Sequence, residues 1–332
     1  MKTNAIFLKF LVPALLLAGC AKDPADETNL NEKEYFDALM EYRYPEVQAN
    51  ENGVFILEDI PGMGEELGEE GYVYISYTVA DIEGNISSTT DEKTAKQVGS
   101  YVKSYYYGPR VSATGTSLSV GMEGILEGMR AGGTRKAIVP FWLNTYTRYE
   151  SLSQYLKNAS STSSTMYTVT LEEIISDETK WEIDSLETHL SRIYGAKPDS
   201  LHYGFYYYRL AEPEDEEEFP SDTTIYIDYI GRLLNGQVFD TTIKDTAIVH
   251  GIYSSSKTYS PVAIKWASEA GEIQMSGSSV ISGFSSMLWN MHKFEKGISY
   301  FTSSLGYSYS GSGYVIPGCS PLSFEVEIVE KP

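Results

Sequence analysis

The sequence predicts an α+β chain made of two copies of one domain, each a curved antiparallel β-sheet wrapped around a short α-helix. The first observation behind this is internal repetition. Gly53 corresponds to Gly204 at an offset of 151, and Tyr74-Ile75-Ser76-Tyr77 and Gly84 correspond to Tyr226-Ile227-Asp228-Tyr229 and Gly236 at 152. Further on, Gly121 to Met129 matches Gly283 to Met291 at 162, and Tyr167 matches Phe324 at 157, as insertions of unequal length produce. The second observation is that strand-like runs of β-branched and aromatic residues dominate each copy, with one short stretch at helical spacing.

From the N-terminus, Lys2 and Lys9 stand ahead of the apolar run Phe10 to Leu17, which closes in Leu17-Ala18-Gly19-Cys20. A positive region, a short apolar region and small residues before a cut describe a secretory signal. With the cysteine directly after the small pair, the segment resembles a bacterial lipobox. The resemblance implies removal of residues 1–19 and a lipid on Cys20. The chain is then expected at the bacterial cell envelope, anchored in the outer membrane and facing the periplasm or the surface. The alternatives are a plain signal peptide or an uncleaved anchor, although so short an apolar run cannot span a bilayer as a helix.

Residues 20–45 read as a polar tether to about Asn31 and then a short helix with Tyr35, Leu39 and Tyr42 on one face. The first copy is expected over 46–176. A linker helix within 177–203 places Leu186, Leu190 and Ile193 on one face, and the second copy fills 204–332. Inside that copy Ile225 to Ile230 reads as a strand, and Asn235-Gly236 is a tight-turn dipeptide leading into Gln237-Val238-Phe239. Ser282-Gly283-Phe284 opens a helix in which Phe284, Met287, Leu288 and Met291 share a face. Tyr314 to Pro317 reads as a strand. Phe324, Val326 and Ile328 alternate with Glu325 and Glu327, as in a strand with one face covered. The natural ligand site is the gap between helix and sheet.

The order of residues in the second copy carries a resemblance. Tyr229, Phe239-Asp240, Val280-Ile281, Phe284, Tyr307, Val315-Ile316-Pro317 and Phe324 follow one another as do the residues lining the proline site in the FKBP family of peptidyl-prolyl isomerases, which the segment resembles. The resemblance implies prolyl isomerisation with no cofactor, on proline-containing segments of exported proteins whose folding the chain would assist. It assigns Tyr229, Phe239, Asp240, Ile281, Phe284 and Tyr307 to catalysis, and Val280, Val315, Ile316 and Phe324 to substrate binding. Phe284 would be the floor under the proline ring. The Ile281 N–H and the Tyr307 hydroxyl would hold substrate carbonyls, and Asp240 would fix neighbours such as the Tyr229 hydroxyl. Taken singly, Phe324, Ile281 and Phe284 suit any helix-on-sheet core. Asp240 alone suits a turn residue.

Three departures from the family stand out. The floor aromatic, usually tryptophan, is Phe284; the usual Tyr-Gly is Tyr307-Ser308; and Ile243 to Gly277, with Tyr253, Tyr259 and Trp266, fills a normally shorter segment that would cap or plug the groove. The first copy departs further, with Ser87 and Ser88 at the Phe239 and Asp240 positions, Ser119 at that of Ile281 and Met122 at that of Phe284. It reads as a degenerate FKBP-like domain, a docking or spacer module. The competing reading for the whole chain is a non-catalytic binding protein whose grooves hold extended peptides.

Composition excludes several classes. The net charge of −21, near −23 without the leader's two lysines, repels nucleic acid phosphates. The acidic run Glu214-Asp215-Glu216-Glu217-Glu218 lacks the alternation and glycine of a calcium loop and reads as solvated. With Cys20 lipidated, Cys319 has no disulfide partner. His189, His202, His250 and His292 show no ligand spacing, so no metal is expected. Gly311-Ser312-Gly313 precedes no helix, which excludes a phosphate loop.

Overall fold

The computed structural model describes residues 24–68, 71–195 and 200–332, with backbone alone for 24–28. Cys20 and the leader lie outside the described residues. No helix among the described residues is long and apolar enough to cross a membrane.

The N-terminal half runs α1 (Pro24–Arg43), β1 (Phe55–Ile60), β2 (Tyr72–Asp81), β3 (Ile86–Thr89), α2 (Glu92–Gln97), β4 (Arg110–Ala113), α3 (Val120–Leu126), β5 (Gly133–Val139), α4 (Leu152–Lys157) and β6 (Thr165–Ile175). After α5 (Glu178–Tyr194) come β7 (Phe205–Ala211), β8 (Thr224–Leu233), β9 (Val238–Thr241), α6 (Lys244–His250), β10 (Val262–Lys265), β11 (Gln274–Met275), β12 (Ser278–Ser279), α7 (Ser282–Trp289), β13 (Lys296–Phe301) and β14 (Leu322–Val329).

Both halves pair their strands identically. The first sheet has the order β1-β5-β6-β2, where β2 also pairs β3 and β4; the second has β7-β13-β14-β8, where β8 also pairs β9 and β10. Every pairing is antiparallel, and β11 and β12 extend only the second sheet. The duplication read from the sequence is therefore a duplication of topology. In each half the short helix α3 or α7 lays its apolar face on the sheet, and Phe284, Met287, Leu288 and Met291 are all buried as their spacing requires. On β14 the side chains of Phe324, Val326 and Ile328 are buried while Glu327 is exposed.

Several expectations need correction. Helix α1 begins at Pro24, inside the segment expected as tether, with proline in the first turn where its missing N–H costs nothing. Its buried face is Phe36, Leu39 and Met40, whereas Tyr35 and Tyr42 are 64% and 87% exposed. Phe36 packs edge-on against Phe55 and Trp142, a contact that a tyrosine hydroxyl at this spot would leave unpartnered. On α5, Leu186 and Leu190 are buried but Ile193 is exposed, one turn beyond the surface the helix covers. Tyr314 to Pro317 forms no strand: an isolated bridge between Ser312 and Ile316 folds it into a tight turn.

The segment Ile243 to Gly277 is only partly an insertion. At the same offset of 152, Thr89, Thr90, Thr94, Ala95, Gly99, Tyr101, Tyr107 and Pro109 have identical counterparts in Thr241, Thr242, Thr246, Ala247, Gly251, Tyr253, Tyr259 and Pro261. Helices α2 and α6 each end in a glycine at positive φ, 74° and 72°. The loops that follow are built alike. Tyr101 stacks on Tyr107 and Tyr253 on Tyr259, at 5.4 Å in both cases, and the second hydroxyl of each pair accepts a backbone N–H, from Val102 or from Ser254. What the second copy adds is the stretch from β11 to β12.

Candidate functional site

A cavity of about 190 Å³ opens between α7 and the concave side of β8 and β14. Its walls are Tyr229, Phe239, Asp240, Met275, Ser279, Val280, Ile281, Phe284, Tyr307 and Phe324. It is smaller than the roughly 300–1,000 Å³ of pockets for drug-sized ligands and suits a single ring.

Strand β8 presents Tyr229 to the cavity, and the hairpin turn brings Phe239 and Asp240 back beside it. Gly236, at φ 88°, makes that turn, with its N–H on the Leu233 carbonyl at 2.9 Å. Across the pair, Gly231 faces Asp240 on β9 and Phe324 on β14. A Cβ on Gly231 would stand 2.6 Å from the Phe239 ring and 3.0 Å from the Phe324 ring. The bare glycine thus lets these two rings meet, edge to face, at 5.5 Å. Phe324 in turn meets Phe284 edge-on at 4.9 Å, and Phe284 meets Tyr229 at 5.7 Å. Each such aromatic pair contributes about 0.5–1.5 kcal/mol beyond burial, which helps to hold the ring cluster together.

Ile281 is the N-cap of α7 and offers no side chain to cap it; its carbonyl accepts from Phe284 and Ser285 at 3.0 and 3.1 Å. Its own N–H takes part in no hydrogen bond among the described residues. In the first copy Ser119 occupies this place and caps α3 through Met122 at 3.2 Å. Replacing a capping serine by an apolar residue costs about 1 kcal/mol, which α7 bears in exchange for an apolar cavity wall.

The polar side is a small network. The Tyr229 hydroxyl donates to Asp240 Oδ2 at 2.6 Å, Lys257 pairs with Asp240 Oδ1, and Thr241 N–H donates to Oδ1 at 2.9 Å. Burial, and then the Asp240 carboxylate, hold the Tyr229 hydroxyl protonated far above the ordinary tyrosine range. The same two causes raise Tyr307. Both phenols therefore enter any chemistry as hydrogen-bond donors.

Of the ten residues singled out in sequence, eight line the cavity. Val315 and Ile316 do not: Ile316 is buried in the core, and its carbonyl accepts Ser312 N–H at 2.7 Å, which turns the side chain inward. Trp266 is not among the residues lining the cavity; it is buried against Trp289 and Phe219. Sequence reasoning missed Met275 and Ser279, which β11 and β12 supply, and Gly231 and Lys257. Gly231 had a visible signal, a glycine inside an otherwise β-branched strand. Among the described residues no group of three or more His, Cys, Asp or Glu side chains could hold a metal ion.

The first copy keeps the frame and changes the residues that line the cavity. Tyr77 and Thr90 exchange backbone and hydroxyl hydrogen bonds just as Tyr229 and Thr242 do, which fixes the register. In that register Val79 replaces Gly231, Ser87 replaces Phe239 and Ser88 replaces Asp240.

Residues 215–329 match the family model of FKBP-type peptidyl-prolyl cis-trans isomerases. No curated protein matches the chain. Among solved structures, the three FKBP domains of wheat FKBP73 are 14% identical, with 86% of this chain and 98% of that one covered and a TM-score of 0.30. A peptidyl-prolyl cis-trans isomerase from Pseudomonas syringae pv. tomato is 23% identical over 46% of this chain and 94% of that one, at 0.31. FkpA from Escherichia coli is 20% identical over 45% of this chain and 59% of that one, at 0.32.

Proposed function

We propose that this chain, whose residues 215–329 form an FKBP-type domain, catalyses prolyl cis-trans isomerisation in the cavity of that domain. The observation that carries the reading is the convergence of Tyr229, Phe239, Asp240, Ile281, Phe284, Tyr307 and Phe324 on one ring-sized apolar cavity.

Peptide bond rotation faces a barrier of roughly 18–20 kcal/mol because resonance stiffens the C–N bond. At X-Pro both isomers lie close in energy yet exchange over tens to hundreds of seconds, so a catalyst needs only to lower the barrier. No nucleophile or base is required. The twisted amide carries less charge on its carbonyl oxygen than the planar one, and a dry aromatic surface favours it relative to water. Phe284 and Phe324 supply that surface under the proline ring. The Ile281 N–H and the Tyr307 hydroxyl hold the flanking carbonyls, and the Tyr229–Asp240 hydrogen bond keeps the polar rim fixed.

The substrates are proline-containing segments of exported proteins, whose folding the chain assists while a lipid on Cys20 tethers it to a membrane of the cell envelope. The lipobox-like end supports this part. The test is a prolyl-isomerisation assay on the wild-type chain beside Phe284→Ala and Tyr307→Phe. Turnover that both variants lower supports the reading. Peptide binding without turnover replaces it with the non-catalytic binding protein, and turnover indifferent to both variants sinks the site. For the tether, metabolic labelling with a lipid precursor in wild type and Cys20→Ala decides: equal labelling would refute it.

A further inference from the structure

Three segments beside the cavity are held by the other domain. The loop between α2 and β4 of the N-terminal domain reaches across, and four contacts define its grip. The N–H of Tyr106 donates to the Tyr314 carbonyl at 2.9 Å, and the Tyr105 ring stacks on Tyr314 at 4.9 Å. The Gln237 side-chain amide donates to the Ser104 carbonyl at 3.0 Å. Lys103 donates to the Val249 carbonyl at 2.8 Å, its stem lying over Gly251, where a Cβ would meet it at 2.3 Å.

The destinations matter more than the contacts. Tyr314 belongs to the late loop that carries Tyr307. Gln237 closes the hairpin turn just ahead of Phe239 and Asp240. Val249 and Gly251 end α6, where the loop carrying Lys257 departs. One loop thus touches the segments that bring Tyr307, Asp240 and Lys257 to the cavity rim. The late loop is closed by its own hydrogen bonds, Ser312 N–H to the Ile316 carbonyl at 2.7 Å and Cys319 N–H to the Ser308 carbonyl at 3.0 Å, but its tip at Tyr314 is 66% exposed and Ser308 is held at a φ of 54°, a conformation unfavourable for a side-chain-bearing residue.

We infer that the N-terminal domain is a positioning module, whose Lys103 to Tyr106 segment fixes the segments bearing Tyr307, Asp240 and Lys257 around the cavity of its neighbour. This assigns a task to the copy whose counterparts of Gly231, Phe239 and Asp240 are Val79, Ser87 and Ser88. Its geometry is independent of the isomerase reading; its effect on turnover rests on that reading. Loss of the grip lets the late loop and the hairpin sample other arrangements, and displacements of about 1 Å at such groups cost up to roughly a hundredfold in rate.

The experiment compares the full wild-type chain with Tyr105→Ala/Gln237→Ala, and uses Tyr105→Phe as the variant that keeps the ring stack. Backbone amide exchange over 234–240 and 306–316 is expected to quicken about tenfold in the double variant while β13 and β14 keep their protection, the mark of local opening. The kcat/KM for a prolyl peptide is expected to fall about tenfold. Tyr105→Phe is expected to match wild type in both readouts. Unchanged exchange in the two segments overturns the grip, and quickened exchange with unchanged kcat/KM overturns the positioning role. A wild-type chain without turnover defeats the proposed activity instead, because exchange reads the grip without it.

Discussion

The Tyr229 hydroxyl and the Asp240 carboxylate are bound at 2.6 Å across the β8–β9 hairpin, and Lys257 occupies the other carboxylate oxygen. Two strands and one loop are therefore tied at a single acidic group on the cavity rim. Tyr229→Phe removes a charge-assisted hydrogen bond and is expected to cost about 1–2 kcal/mol, since Asp240 is partly solvated. Urea unfolding measures the loss. A larger fall in kcat/KM than the stability loss explains would follow if the rim must be rigid for turnover.

Gly231→Val gives the second domain the residue of the first. The new side chain takes the space of the Phe239 and Phe324 edges, so the cavity closes while the strand pairing persists. Overpacking of this kind costs about 1–3 kcal/mol. The expected outcome is a folded protein by circular dichroism with prolyl isomerisation near background; wild-type turnover would contradict the place given to Gly231.

Glu295 predicts the acid limb of stability. Its fully buried side chain accepts from Tyr207, from Arg209 Nε at 3.0 Å and from His292 N–H at 2.9 Å. Burial pushes the carboxyl up, but these hydrogen bonds outweigh it and the net shift is downward from 4.5. A depressed folded value means the stabilisation is complete above the unfolded value and is lost as pH falls through the folded one. Glu295→Gln is expected to cost about 3 kcal/mol at neutral pH. The gap in thermal midpoint between the two proteins should narrow as pH falls below the ordinary glutamate range; a constant gap would refute the assignment.

Ser308 stands at a φ of 54°, where glycine pays no steric cost. The left-handed conformation costs a side-chain-bearing residue roughly 1–2 kcal/mol, partly offset by the greater freedom of glycine in the unfolded chain. Ser308→Gly should therefore stabilise the protein by about 0.5 kcal/mol, measured as a raised urea midpoint at constant slope.

Much of this architecture is legible in the residues. The tandem copies, the hairpin at Asn235-Gly236 and the α7 face follow from offset, turn chemistry and periodicity, whereas the eight cavity positions come only with the family resemblance, carried by the order of those residues along the chain. Harder to read was the face of α1: Tyr35, Leu39 and Tyr42 fit helical spacing as well as Phe36, Leu39 and Met40 do, and only the packing against Phe55 and Trp142 chooses. Ile316 was misplaced because its direction is set by a single bridge to Ser312. Treating Ile243 to Gly277 wholly as an insertion hid the identities at Thr246, Ala247, Gly251, Tyr253, Ser256, Tyr259 and Pro261 that continue the repeat, although these were present in the sequence. Met275 reaches the cavity from β11 and Lys257 reaches Asp240 from the loop after α6, distant pairings that no local pattern encodes.

The paired loops after α2 and α6 have a use in design. Both leave a left-handed glycine, brace themselves on a tyrosine pair and return at a proline, with five residues between the tyrosines in each. Val102 to Tyr106 and Ser254 to Thr258 are therefore interchangeable cassettes on one mounting. One is addressed to the neighbouring domain, and the other sends Lys257 to the Asp240 of its own. Exchanging them would redirect a surface contact without redesigning the frame that bears it.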